Sequence, residues 1–293
     1  MTVPSALSIA LCLAAALPLS LTAGADEASK TTTDIEYARV DGTPLRLDLY
    51  QPEAASAPLL VWVHGGAWEV GSKSPMPLTA LVARGYAIAS LDFRPASTAR
   101  FPGQVHDIKA AIRFLRATAT RHGYDASRIA ILGASSGAHL AAVVGTTNGH
   151  ADLEGTLGEH GNESSDVQAI VSYFGASNLT TILAQSTPFG VGIRTPALQR
   201  LLGGLPKESE ALARLASPVF HVDANDPPLL LLHGDQDPQM PINQSHELQG
   251  AYERAGLDAP FVVVHGAAHG GDQFFEPANI ERVAAFLDQR LRH

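Results

Sequence analysis

The sequence predicts an α/β fold with a mostly parallel central sheet and helices on both faces, and three observations carry that reading. Short continuous apolar runs recur along the chain, the pattern of strands buried on both faces of a parallel sheet. Helical stretches alternate with those runs. Ahead of them, two alternating segments flank Asp41-Gly42, the signal of an antiparallel hairpin.

Composition bounds the possibilities. The chain has 293 residues, 45% of them hydrophobic, enough to bury a sizeable core. Charged residues are 17% against a usual share of about 25%, which excludes an intrinsically disordered chain. Twenty basic against 29 acidic side chains leave a formal charge of −9. Such a surface repels phosphate backbones and anionic lipid, so neither nucleic acid nor a membrane surface is expected as a partner. The one cysteine, Cys12, can form no internal disulfide, and zinc patterns built on cysteine pairs are missing.

Residues 1–25 carry no Lys, Arg, Asp or Glu. An apolar run from Ala6 to Leu19, broken by Pro18, leads to Ala23-Gly24-Ala25. This reads as a signal peptide cut after Ala25, leaving a thiol-free secreted or periplasmic protein with no membrane attachment. An uncleaved anchor is disfavoured by Pro18 and by a run shorter than the roughly 20 residues a span needs. Residues 26–293 then form one domain.

The opening hairpin pairs Ile35–Val40 with Leu45–Tyr50. Core strands follow at Leu59–Val63, Tyr86–Leu91, Ile129–Leu132, Ala169–Phe174, Leu229–Leu232 and Phe261–Val264. Helical stretches lie between them at Leu78–Arg84, Gln104–His122, Gly137–Thr146, Gln244–Ala255 and Pro277–Arg292. Residues 176–228 break the rhythm with several Gly and Pro and one helical piece near Glu208–Leu215, and read as a cap inserted over the site. In such sheets ligands bind beyond the carboxyl ends of the strands. Every motif below falls at one of those ends.

After Ile129–Leu132 comes Gly133-Ala134-Ser135-Ser136-Gly137, then a helix. Strand, G-x-S-x-G and helix together point to a serine nucleophile at a tight turn, where the helix dipole favours developing negative charge. Ser136 is the rival hydroxyl, and the glycine register selects Ser135. The strand Leu59–Val63 ends in His64-Gly65-Gly66-Ala67-Trp68, a glycine-rich loop able to bring amide donors close to an oxyanion. Leu229–Leu232 leads into His233-Gly234-Asp235-Gln236-Asp237-Pro238. Of its two carboxylates, Asp237 lies further out on a proline-stiffened loop and is preferred, with Asp235 as a turn former. The last strand leads to His265 and His269, and His269, on the glycine-flanked loop, is free to reach the serine. As a metal pair, His265 and His269 lack a third ligand. No role is assigned to His139 or His150.

Together H-G-G-A-W at 64–68, D-F-R at 92–94, G-A-S-S-G at 133–137, A-S-P at 216–218, H-G-D-Q-D-P-Q-M-P at 233–241 and G-A-A-H-G at 266–270 resemble the α/β-hydrolase esterases. The branch most resembled contains bacterial bifunctional feruloyl and acetyl-xylan esterases, over nearly all of residues 34–290. The resemblance implies the α/β-hydrolase fold, a Ser135–Asp237–His269 triad, and an oxyanion hole from the amides of Gly66, Ala67 and Ser136. It implies no metal or organic cofactor. Trp68 and the cap are expected to shape the substrate pocket. Relatives often have a third Gly at the place of Ala67 and Ala-Gly in place of Ser136-Gly137. Ala67 is therefore expected to narrow the acyl pocket against bulky acyl groups and tertiary-alcohol esters.

The expected activity is hydrolysis of short-chain or aromatic acyl esters through an acyl-enzyme, with acetyl or feruloyl esters of plant polysaccharide as candidate substrates. Two rivals share the triad: arylformamidases, whose cytosolic role conflicts with a signal peptide, and prolyl-oligopeptidase-type peptidases, which carry a further large domain. A third is a non-catalytic binding protein on a hydrolase scaffold, a class that usually lacks a triad member.

Overall fold

The computed structural model describes residues 30–292. The signal segment and its expected cut after Ala25 lie outside the described residues. Among the described residues, no helix is long and apolar enough to cross a membrane.

Eight strands form one sheet: β1 (Lys30–Val40), β2 (Thr43–Gln51), β3 (Ala57–Val63), β4 (Ala87–Leu91), β5 (Tyr124–Ala134), β6 (Ala169–Tyr173), β7 (Leu229–Gly234) and β8 (Phe261–Val264). Their spatial order is β1-β2-β4-β3-β5-β6-β7-β8. The pairs β1–β2 and β2–β4 are antiparallel, and every later pair is parallel. At the hairpin, Asp41 and Gly42 adopt φ of 47° and 80°, the two positive values that the twist of a tight hairpin requires.

The helices are α1 (Thr79–Val82), α2 (Gly103–His122), α3 (Ser136–Gly145), α4 (Ala151–Glu154), α5 (Ile182–Gln185), α6 (Pro188–Leu202), α7 (Glu210–Leu215), α8 (Asn243–Arg254) and α9 (Pro277–Leu291). They cover both faces, and the period-2 geometry of a strand decides which residues meet which layer. Leu59, Val61 and Val63 of β3 join α2, α3 and α8 in one core, whereas Leu60 and Trp62 join α1 and α9 in the other. Leu229 and Leu231 divide from Leu230 and Leu232 in the same way. Each buried Leu or Val contributes roughly 1.5–3 kcal/mol through apolar area removed from water. The unbroken apolar runs are thus two interleaved half-patterns, one for each core. This is an α/β-hydrolase fold.

The structure departs from the sequence expectation at the starts of strands and within the insertion. Strands β1 and β5 begin earlier, because Lys30 pairs with Gln51 and Tyr124 with Ala57, beyond the apolar runs that signalled the strands. The 176–228 insertion also contains a 15-residue helix, α6, that periodicity does not reveal. Gly190, Gly192 and Pro196 interrupt its apolar pattern, although its ends are conventional. The Thr187 hydroxyl accepts from the Gly190 amide, Pro188 opens the helix, and Gly203 closes it at φ 82°. The insertion is bound to the body of the domain. The amides of Ser177 and Asn178 donate to the Gln244 side chain, and the Phe101 amide donates to Leu201 O at 3.0 Å.

Candidate active site

Parallel register brings the loops after β3, β5, β7 and β8 to one edge of the sheet. Val63 lies opposite Gly133, Ala134 opposite Tyr173, Tyr173 opposite Leu232, and Gly234 opposite Val264. Ser135, Asp237 and His269 leave the sheet on these loops.

Ser135 has φ 54° and ψ −121°, a backbone region nearly closed to residues with a side chain, at a cost of about 1–3 kcal/mol. Packing enforces it. The Ser135 amide donates to Tyr173 O at 2.9 Å, and a Cβ on Gly137 would collide with the carbonyls of Val63 and His64. Only glycine lets the start of α3 approach β3 this closely. The serine hydroxyl is thereby turned out of the sheet toward His269.

Ser135 Oγ lies 2.8 Å from His269 Nε2, and His269 Nδ1 lies 2.6 Å from Asp237 Oδ2. The His269 ring is packed edge-on to Phe174 at 5.0 Å between centroids. Asp237 is buried, with its side chain 1% exposed. Burial works against its charge, but hydrogen bonds from His233 and His269 and the Met240 amide outweigh it and hold its pKa well below the usual carboxylate range. Oδ1 accepts from the amides of Gln239 and Met240, both at 2.8 Å. An acid held as an anion, an imidazole oriented by it and a hydroxyl within reach form the arrangement that activates a serine.

The structure separates the rival residues. Asp235 accepts instead from the exposed His265, Nδ1 to Oδ2 2.8 Å, and from the Gly266 amide at 2.8 Å, so this pair stands apart from the serine. Ser136 is fully buried and its hydroxyl has no partner among the described residues. No group of three or more His, Cys, Asp or Glu among the described residues is arranged to hold a metal ion. A cavity of about 490 Å³ lined by Glu36, Tyr37, Phe114 and His160 shares no residue with the constellation, so cavity volume does not locate the chemistry here.

The loop after β3 runs beside the serine, where a side chain at Gly65 would sit 3.3 Å from Ser135 Cβ. Its turn is closed by the amides of Glu69 and Val70, both donating to Gly66 O at 3.0 Å. The amides of Gly66 and Ala67 have no hydrogen-bond acceptor among the described residues, and that of Ser136 is a free N–H in the first turn of α3. Gly66, Ala67 and Trp68 all have positive φ, at 124°, 54° and 62°. The loop is thus held in a conformation that two of its three residues would not choose.

Trp68 requires a correction. Expected as a pocket wall, it is 1% exposed, packed in the core, and its indole N–H donates to His139 Nδ1 at 3.0 Å. With so little surface, its ring supports the loop and cannot contact a substrate directly. Three further residues support the site without having been singled out from the sequence. His139 stands one helical turn after Ser135, and the fully buried His233 lies 3.3 Å from Asp237. Arg194 is the third, on α6. The spacing of His139 from Ser135 is a readable signal; the pairing of Arg194 with the acid loop is not.

The BD-FAE family model matches residues 47–252 of this sequence. The chain belongs to the BD-FAE family. This BD-FAE chain has relatives named for ester chemistry. It is 33% identical over 226 residues to "Esterase LipC" of Mycobacterium tuberculosis, covering 74% of this chain and 53% of that one. A solved structure described as a truncated form of a carbohydrate esterase from gut microbiota matches with TM-score 0.80 and 30% identity, over 92% of this chain and 99% of the other. A bifunctional GH43-CE protein of Bacteroides eggerthii matches with TM-score 0.79 and 33% identity, over 89% and 35%. The BD-FAE chain spans about half the length of the curated relatives it matches.

Proposed function

We propose that the protein is a serine carboxylic-ester hydrolase that works through an acyl-enzyme. The continuous contact from Ser135 Oγ through His269 to Asp237, at 2.8 and 2.6 Å, carries this reading. His269 Nε2 takes the Ser135 proton as Oγ attacks the ester carbonyl, while Asp237 holds the Nδ1–H and favours the imidazolium that forms. The amides of Gly66, Ala67 and Ser136 receive the oxyanion, and His269 then returns the proton to the leaving alcohol. Water repeats the sequence on the acyl-enzyme. Side chains, amides and water suffice for every step.

The substrates proposed are short-chain or aromatic acyl esters, among them acetyl or feruloyl groups on plant polysaccharide. The carbohydrate-esterase likenesses support that class, and the export expected from the sequence would suit it. Residues 176–228, which pack against the acid loop, are read as the cap.

A fluorophosphonate probe and p-nitrophenyl acetate test the mechanism: the protein should be labelled and active, and Ser135→Ala should be neither. Hydrolysis that survives Ser135→Ala would sink the proposal. Comparing acetyl and feruloyl esters with N-formylkynurenine separates ester from formamide hydrolysis, and no labelling at all would favour a binding protein.

A further inference from the structure

The carboxylate of Asp237 is held by two N–H groups, those of Gln239 and Met240. Each belongs to a peptide unit whose other end is a carbonyl, of Pro238 and of Gln239 respectively. Both carbonyls accept from the insertion, one from the N-cap residue of α6 and one from the helix itself. The Thr187 hydroxyl donates to Pro238 O at 3.0 Å, and Arg194 Nε donates to Gln239 O at 3.2 Å. Between them Gly190 lies so close that a Cβ there would sit 3.1 Å from Gln239 O.

We propose that Thr187 and Arg194 are positioning residues for the acid, acting through the two peptide units that hold Asp237. A donor on a carbonyl polarises the N–H at the far end of the same peptide, so the two hydrogen bonds in each chain strengthen one another. They also fix the plane of the peptide, and hence the direction of the N–H. The insertion is then part of the catalytic apparatus as well as a cover. This inference rests on the triad reading above.

Arg194 is hard to explain as packing. It is 1% exposed, and its buried Nη2 has no hydrogen-bond partner among the described residues. Burial pulls its pKa down to about 10, opposed by the nearby charge of Asp237, which still leaves a cation at neutral pH. A buried guanidinium with an unused donor is costly, and an apolar side chain would fill the space at less expense. Its contact with Gln239 O and its charge beside Asp237 give that cost a purpose. The titratable and charged groups facing Asp237 are His269 from the last loop, His233 from β7 and Arg194 from α6, while Asp235 and His265 pair with each other.

The test uses the full-length protein and the variants Arg194→Met, Thr187→Val and Thr187→Ser. Each is checked for folding by circular dichroism and assayed with p-nitrophenyl acetate from pH 5 to 9. Removing the cation or the hydroxyl leaves the Asp237 charge less engaged by its own loop and more available to a protonated His269. The acid limb of the kcat/KM profile should therefore move to higher pH. For Arg194→Met and Thr187→Val, kcat should fall roughly fivefold to twentyfold with KM within about twofold, since the acid but not the substrate loses its alignment. Thr187→Ser should restore the wild-type profile. Folded variants with an unmoved or lowered limb would overturn the inference. Should Arg194→Met fail to fold, Thr187→Val decides the matter alone. Wild-type protein that is neither labelled nor active would instead overturn the triad reading, and this inference with it.

Discussion

The indole N–H of Trp68 donates to Nδ1 of His139 at 3.0 Å, joining the loop beside the serine to the helix that begins at the serine. Nε2 of the same imidazole lies 2.6 Å from Ala216 O, at the C-terminus of α7 within the insertion. The carbonyl can only accept, so the proton is on Nε2 and Nδ1 is left to receive the indole. One neutral, fully buried imidazole thus ties together three segments. The positive φ of Trp68 and Ala67 persists because this tie holds the far end of the loop.

His139→Leu should lose both contacts. It leaves the Trp68 N–H and the Ala216 carbonyl buried and unpaired, at about 1–3 kcal/mol each. Thermal melting should show a drop of several degrees, and ester hydrolysis should fall roughly tenfold or more as the amides of Gly66 and Ala67, proposed to receive the oxyanion, lose their placement. A variant with wild-type melting and rate would show that the tie is dispensable.

The same residue sets an acid-side dependence of stability. Burial lowers the pKa of His139 to about 4, with the Ala216 hydrogen bond opposing, against an unfolded value near 6.5. Between those values the unfolded chain binds more protons than the native one, so stability rises with pH across this window. Its contribution is complete above about pH 6.5 and is lost as pH falls to 4, in total roughly 3 kcal/mol. Denaturant unfolding between pH 7 and 4.5 should therefore show a steeper loss in the wild type than in His139→Asn. Parallel curves would assign the acid sensitivity to other groups.

Exchanging the two acids separately should distinguish them. Asp237→Asn removes the anion behind His269 and should lower kcat by about 10³–10⁴-fold. Asp235→Asn disturbs only an exposed pair with His265 and should leave kcat within about twofold. Comparable losses in both would break the assignment.

Ala67 has φ 54°, where its methyl group is strained and glycine is not. Ala67→Gly should raise stability by up to about 1 kcal/mol and widen the acyl side of the site. Turnover of an acetate ester and of an ester of a bulkier acyl group with the same alcohol would be compared with wild type. A rise confined to the bulkier ester is expected, and equal change in both would show that Ala67 does not limit the pocket.

Much of this was legible in the sequence because its causes are local. The runs Leu59–Val63 and Leu229–Leu232 mark buried strands, since apolar side chains on both faces leave no other stable place for them. The spacing of Gly133 and Gly137 about Ser135 reflects a steric demand between neighbouring turns. The preference for Asp237 over Asp235 also rested on local chemistry, and Asp237 is the carboxylate that meets His269. Helix α6 was not legible, because Gly190, Gly192 and Pro196 break its pattern and its stability comes from tertiary packing, with Ala197, Leu198, Leu201 and Leu202 buried in the core and Gly190 seated against the carbonyls of Pro238 and Gln239.

By itself, then, the sequence determined the strand and helix alternation, the sharp turn at Ser135 and the order in which the site residues leave the sheet. Each depends on side-chain periodicity or backbone sterics within a few residues. Only the tertiary structure decided that Trp68 faces His139, 71 positions away, and that Arg194 meets the carbonyl of Gln239, 45 positions away. Those contacts follow from the register of the sheet and the seating of the insertion on it. A side chain's partner across such distances is set by where the whole chain packs, and no local pattern records it.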